Sequence, residues 1–216
     1  MPADHEPTAG RHRFTGHIAG VGTAGGTRMV LGAWSRTPHG PFADVMVAHP
    51  DGTRELIAPD QWVADFVSAT YTFDRIRIAP VRVDAGDSAS GASPGARWSV
   101  RAGPLDWTFD VGSRRPLGWA LRGVPRKLGT SLAFARVTDR VAPWILPGVR
   151  TLGTAGNGRT EWYSATDLHT IRDSVGSWAG RTLGAMTPVD PAPDFGFGST
   201  PREPSLTSLT STVVVP

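Results

Sequence analysis

The segment Arg97–Val111 constrains the fold more than any other part of the chain. Trp98, Val100 and Ala102 alternate with Arg97, Ser99 and Arg101, and Leu105, Trp107, Phe109 and Val111 alternate with Asp106, Thr108 and Asp110. A period of two marks strands with one buried face. Gly103-Pro104 separates the two runs. Glycine supplies the positive φ that a type II′ turn needs at its first central position, and the fixed φ of proline suits the second. A two-residue loop sets Ala102 opposite Leu105, Trp98 opposite Phe109 and Arg97 opposite Asp110. A slip of one residue would drive the arginines into the core, so the register is unique. A lone hairpin cannot hide such a face, and further strands must cover it.

The rest of the chain is consistent with that demand. With 26 Gly and 19 Pro in 216 residues, many short strands joined by tight turns are favoured over long helices. Phe42–Val47 and Arg54–Ile57 flank Pro50-Asp51-Gly52, a three-residue hairpin loop, and Ser205–Val215 reads as a last strand. One helix is predicted over 59–71. Pro59 suits its first turn, Asp60 complements its dipole, and Trp62, Val63, Phe66 and Val67 form its apolar stripe. Asp65 lies on the wet side of that helix. Apolar pieces at Leu117–Gly123 and Ser131–Val141 predict a helical cover around 116–146. Asp84–Ala96 is rich in Gly, Ala and Ser and reads as a flexible loop. The expected fold is mainly β: an antiparallel β-barrel or strongly curved sheet in a single domain over 11–216, after a loose tail at 1–10.

Several function classes fall away. There is no cysteine, hence no disulfide framework, thiolate metal site or catalytic thiol. The N-terminus is polar, with no apolar signal or membrane segment, so a cytoplasmic protein with no membrane partner is expected. The pI near 10.1 coexists with a net charge of only +3 because 21 of the 22 basic residues are arginine. Those arginines are scattered among 19 acids, so nucleic-acid binding is not expected. Gly20-Val21-Gly22-Thr23-Ala24-Gly25 matches the dinucleotide fingerprint in letters, but it lacks a buried strand before it and a helix after it, and reads as a hairpin loop. Gly91-Ala92-Ser93-Pro94-Gly95 matches a nucleophile elbow, but Pro94 lacks the N–H that would serve as oxyanion donor. The histidines His5, His12, His17, His39, His49 and His169 have no metal-ligand spacing, and neither a metal nor a cofactor is expected.

Two constellations remain. In an extended Arg159–Arg172, the side chains of Arg159, Glu161, Tyr163, Asp167 and His169 share one face, and Trp162, Ser164, Thr166 and Leu168 the other. Acid, phenol and imidazole turned into a barrel would make a polar site for a small-molecule ligand. Lys127, the only lysine, lies beside Arg126 in Gly123-Val124-Pro125-Arg126-Lys127-Leu128-Gly129. A neighbouring cation lowers a lysine's pKa and frees the amine to attack a carbonyl.

That stretch resembles the Gly-x-Pro-Lys-Lys motif of the acetoacetate decarboxylase family. Gly40-Pro41-Phe42-Ala43-Asp44 resembles the family's Gly-Pro-Tyr-x-Glu motif, in the same order. The resemblance covers about a dozen residues and implies a β-barrel with Asp44 at its site. It also implies Schiff-base chemistry on a keto acid through Lys127. Arg126 stands where the family's Schiff-base lysine would be, and guanidinium cannot attack. Gly148–Thr151, Glu161–Tyr163 and Phe195–Pro201 look like proteins of high-GC actinobacteria, a resemblance that brings no activity with it. The leading expectation is a non-catalytic barrel holding a small apolar or mixed-polarity molecule, with the Lys127 enzyme as the alternative.

Overall fold

The computed structural model describes residues 9–86, 92–125, 129, 131–132, 135–136, 139–140, 150–154, 158–196 and 200–216. In chain order the strands and helices are β1 (Gly10–Thr23), β2 (Arg28–Arg36), β3 (Phe42–Ala48), β4 (Arg54–Ala58), α1 (Gln61–Ser68), β5 (Arg75–Ile78) and β6 (Val81–Asp84). There follow β7 (Arg97–Ala102), β8 (Leu105–Arg114), α2 (Pro116–Arg122), β9 (Leu152–Thr154), β10 (Thr160–Trp178), β11 (Arg181–Thr182), β12 (Met186–Thr187) and β13 (Ser205–Val215).

All the strands belong to one sheet whose main path runs β5-β4-β3-β2-β1-β13-β10-β8-β7-β6. Every pairing is antiparallel except β4 with β5. The sheet is therefore mixed, and it is not closed into a barrel. Its two end strands, β5 and β6, are joined through Ala79-Pro80 and form no ladder with each other. Proline cannot donate to a ladder, and each strand is only four residues long. The ends still meet around one core: Val45 and Ile57 of β3 and β4 share an apolar cluster with Trp98 and Val100 of β7 and Leu105 and Trp107 of β8. The face that carries this cluster is the inner face of the sheet.

The hairpin β7–β8 has the register expected from its sequence, with Trp98 opposite Phe109 and Arg97 opposite Asp110. Gly103 sits at φ +54. Trp98, Trp107 and Phe109 are buried, and Arg97 donates to Asp110 at 2.7 and 2.9 Å. Gly52 closes the other hairpin at φ +88.

Helix α1 is shorter than 59–71 at both ends. Asp60 is its N-cap, accepting from the Val63 N–H at 2.9 Å, so Pro59 precedes the helix. The helix covers the outer face of β3 and β4, burying Val63, Ala64, Phe66 and Val67. Trp62 is only half-buried, stacked between His39 and Phe66. Of the cover around 116–146, α2 is described; its neighbours make helical i→i−4 bonds at Gly129 to Pro125 and Ala135 to Ser131. Residues 141–146 lie outside the described residues, as do most of the tail and 87–91 of the 84–96 loop. The end of that loop is pinned: Ala92 is buried, and Gly95 and Ala96 exchange backbone bonds with Val111 at 2.8 Å. The fingerprint glycines Gly20 and Gly22 lie within β1, where Thr200 and the Pro188 carbonyl occupy the space a Cβ would need. The turn itself falls at Ala24–Gly26.

Candidate functional site

Strand β10 decides where the polar residues go. Its pairing with β13 runs Glu161↔Val213, Tyr163↔Ser211 and Ala165↔Leu209, then skips Thr166 and resumes at Asp167↔Ser208 and His169↔Leu206. The bulge at Thr166 inverts the alternation. Glu161 and Tyr163 point to the outer face, while Asp167 and His169 share the inner face with Trp162 and Ser164. A single face bearing Arg159, Glu161, Tyr163, Asp167 and His169 is thus corrected to two clusters, one on each side of the sheet.

The outer cluster lies beneath α1. Tyr71 and Tyr163, the only two tyrosines of the chain, hydrogen-bond to each other through their hydroxyls. Tyr71 also donates to Glu161 Oε2 at 3.0 Å, and Ser211 donates to Oε1 at 2.5 Å. Asp44 reaches the same place from β3, because the β2–β3 ladder sets it opposite Gly32, and it accepts from Trp34 Nε1 at 3.0 Å. The missing side chain of Gly32 makes the room: a Cβ there would lie 2.6 Å from Asp44 Oδ1. Arg159 closes the cluster, donating to the Phe66 carbonyl at 3.1 Å with its guanidinium 5.2 Å from the Phe66 ring centroid. Asp44, Glu161, Tyr163 and Arg159 therefore do converge. Burial pushes the Asp44 carboxyl up to about 7, with Glu161 adding to the shift and the Trp34 bond opposing it. Burial likewise raises Glu161 against the pull of Ser211, the two tyrosines and Arg159, and it raises both phenols well above their usual range.

The inner cluster centres on His169, which is fully buried. Its cross-strand partner on β8 is Arg114, and the two ladders meet there. Arg114 Nε donates to both oxygens of Asp167 at 2.8 and 3.1 Å, and Arg122 of α2 reaches Oδ2 at 3.4 Å. Burial pushes the Asp167 carboxyl up; the bonds from Arg114 and the Leu168 N–H, with the charges of His169 and Arg114, outweigh it and hold the group below its usual range. His169 Nδ1 is 3.9 Å from Asp167, too far for a hydrogen bond. Burial lowers His169 beyond what the charge of Asp167 restores, with Arg114 and Arg122 adding to the fall, and burial together with the charge of His169 lowers His17 on β1. Both rings are therefore neutral at pH 7.

The two clusters differ in completeness. Among the described residues, both ring nitrogens of His169, Ser164 Oγ and Thr212 Oγ1 are buried on the inner face with no hydrogen-bond partner. Ser164 faces Thr210 across the β10–β13 ladder and Thr212 lies diagonal to it, whereas His169 faces Leu206, six residues along β13 from Thr212 and so about 20 Å away. The orphans therefore fall into two groups on one face. Other buried atoms in that condition lie on Arg28, Thr70, Thr200 and Ser205. α2 is pressed against the His169 group at Gly118, where a Cβ would come within 2.9 Å of Asp167 Oδ1.

Sequence reasoning missed Tyr71, Trp34 and Ser211 on the outer side, and Arg114, Arg122, His17, Ser164 and Thr212 on the inner. One signal was present: both faces of 159–171 are mixed in polarity, so neither is marked as the solvent side. Lys127 and Arg126 lie outside the described residues. Among the described residues, no three His, Asp or Glu side chains gather as a metal would require. No described helix is long and apolar enough to cross a membrane. No family model, curated protein or solved structure matches the chain.

Proposed function

We propose that the chain is a non-catalytic binding protein that takes a small molecule of mixed polarity on the inner face of its sheet, at His169. The reading rests on one observation: both ring nitrogens of His169 are buried without a partner among the described residues. Folded proteins pair nearly all their buried polar groups, because each orphan costs about 1–3 kcal/mol. Two on one ring mark a place where partners come from outside the chain. The site offers a neutral imidazole, which supplies one donor and one acceptor. Trp98 and Leu206 border it with apolar surface, Trp98 meeting His17 edge-to-face at 5.5 Å. A few fixed polar groups against an apolar wall are what small-molecule sites share.

The test is a titration of a fragment library into protein carrying 15N-labelled histidine. Ligands should shift the His169 ring nitrogens, and His169→Phe should lose their saturable binding. Hits that bind saturably while leaving His169 unmoved would sink the reading. A borohydride-reduced adduct of a keto acid on Lys127 would replace it with the Schiff-base alternative.

A further inference from the structure

Building on that binding reading, we infer that the inner patch recognises its ligand through an oxyanion, a carboxylate or a phosphate, held by Arg114 and Arg122 beside His169. The charge balance comes first. Among the described residues, Asp167 is the one carboxylate bonded to these two guanidinium groups, whose charge is permanent. His17 and His169 add none when neutral. The cluster therefore keeps an excess of one positive charge, which an incoming monoanion cancels.

The donor count agrees. Each guanidinium carries five N–H donors. Arg114 commits only Nε to Asp167, and Arg122 only Nη1, over 3.4 Å. Among the described residues no protein acceptor is bonded to the two terminal amino groups of Arg114 or to Nη2 of Arg122. An Arg bound through Nε keeps free the terminal edge that pairs with a planar oxyanion. Arg114 is also held in place: its guanidinium stacks 4.4 Å from the ring centroid of Trp119, and Asp167 fixes its inner edge. Trp119 is 63% exposed, a large apolar surface left uncovered beside the proposed head-group site. His169 stands directly across the ladder from Arg114, with both nitrogens unpartnered. It is placed to donate one further bond to the same oxyanion.

Four probes separate the possibilities: sodium octanoate, sodium phosphate, 1-octanol and octylammonium chloride, each titrated into the full chain. Tryptophan fluorescence and the His169 ring 15N shifts serve as readouts. Octanoate or phosphate should saturate with a shift at His169, and Arg122→Gln should weaken that binding by about tenfold, the order expected for losing a charge-assisted bond. Arg101→Gln, on the distant hairpin, should leave it unchanged. Arg114→Lys keeps the charge but not the fork, and should bind as weakly as Arg122→Gln. Octanoate alone identifies a carboxylate head, phosphate alone a phosphate. If octanol or octylammonium moves His169 as tightly as octanoate does, the binding reading stands and the oxyanion is wrong. If no probe moves His169, or if Arg122→Gln changes nothing, the oxyanion is again wrong; the fragment titration then decides the binding reading separately.

Discussion

The acid–phenol cluster under α1 and the imidazole patch inside the sheet hang on the same two strands, β10 and β13, a few residues apart. On the outer side Glu161, Tyr71, Tyr163 and Ser211 bond to one another and Asp44 bonds to Trp34, and the cost appears as raised carboxyl and phenol pKa values. On the inner side Asp167 has its guanidinium partners, while His169, Ser164 and Thr212 have none. A complete network of this kind fixes packing, whereas an incomplete one needs something from outside. Completeness, more than polarity or burial, is what separates a structural cluster from a candidate binding site in this fold.

The contrast can be broken most forcefully at Phe66. This ring covers the outer cluster between Phe14, Trp62 and Arg159. Phe66→Ala should cost roughly 3–5 kcal/mol in urea unfolding, the usual loss for a buried aromatic. It should also admit water and bring Asp44 back toward an ordinary carboxyl. A loss under about 1 kcal/mol would mean that α1 does not seal the cluster.

Asp44 gives the next largest effect. Its folded pKa, about 7, lies above the ordinary 3.8, so the folded chain holds a proton that the unfolded chain has released. Stability attributable to Asp44 should fall as pH rises from about 4 to about 7, then level off. At about 1.4 kcal/mol per unit, the full loss is on the order of 4 kcal/mol. Asp44→Asn can still accept from Trp34 and carries no charge, so it should flatten this part of the pH profile and stabilise the protein at pH 8. Equal stability of variant and parent at pH 5 and pH 8 would show that Asp44 ionises freely.

Much of this architecture is legible in the sequence, and the illegible parts have physical causes. The β7–β8 hairpin can be read because Gly103-Pro104 fixes the turn and both runs alternate cleanly; the last strand, 205–215, is continuous and β-branched. The bulge at Thr166 leaves no such mark. Ser164, Ala165 and Thr166 are all acceptable in a regular strand, and no Gly or Pro punctuates them. Extrapolating a period of two through that point put Asp167 and His169 on the wrong face. Closure into a barrel failed for a related reason, since it depends on whether β5 and β6 can pair across Ala79-Pro80. The partners of Glu161 were hidden by distance: Tyr71 lies 90 residues away and reaches it only once α1 is docked.

Matched aromatic substitutions sharpen the comparison at smaller scale. Tyr163→Phe removes one hydroxyl from a complete network and should cost about 1–3 kcal/mol, because Tyr71 loses a buried partner. His169→Phe removes two nitrogens without a partner among the described residues, and should be equal to the parent or up to about 1 kcal/mol more stable if the ring fits. Similar losses for both would mean that His169 has structural partners and that the two clusters do not differ in kind.

Thr212 carries the smallest expected change in stability and the finest discrimination. It is fully buried in β13, directly across from Trp162, and its Oγ1 has no partner. Valine has nearly the same shape and the same preference for strands, so Thr212→Val exchanges only a hydroxyl for a methyl. Had the hydroxyl been bonded within the chain, the exchange would orphan its partner and cost about 1–3 kcal/mol. Unbonded, it instead ends the desolvation of a lone hydroxyl, and the variant should be equal to the parent or up to about 1 kcal/mol more stable. The same substitution should leave the affinity of a ligand at His169 unchanged, because Thr212 lies six residues along β13 from Leu206, the cross-strand partner of His169. Weaker binding by Thr212→Val would show instead that the ligand spans both groups of unpartnered atoms.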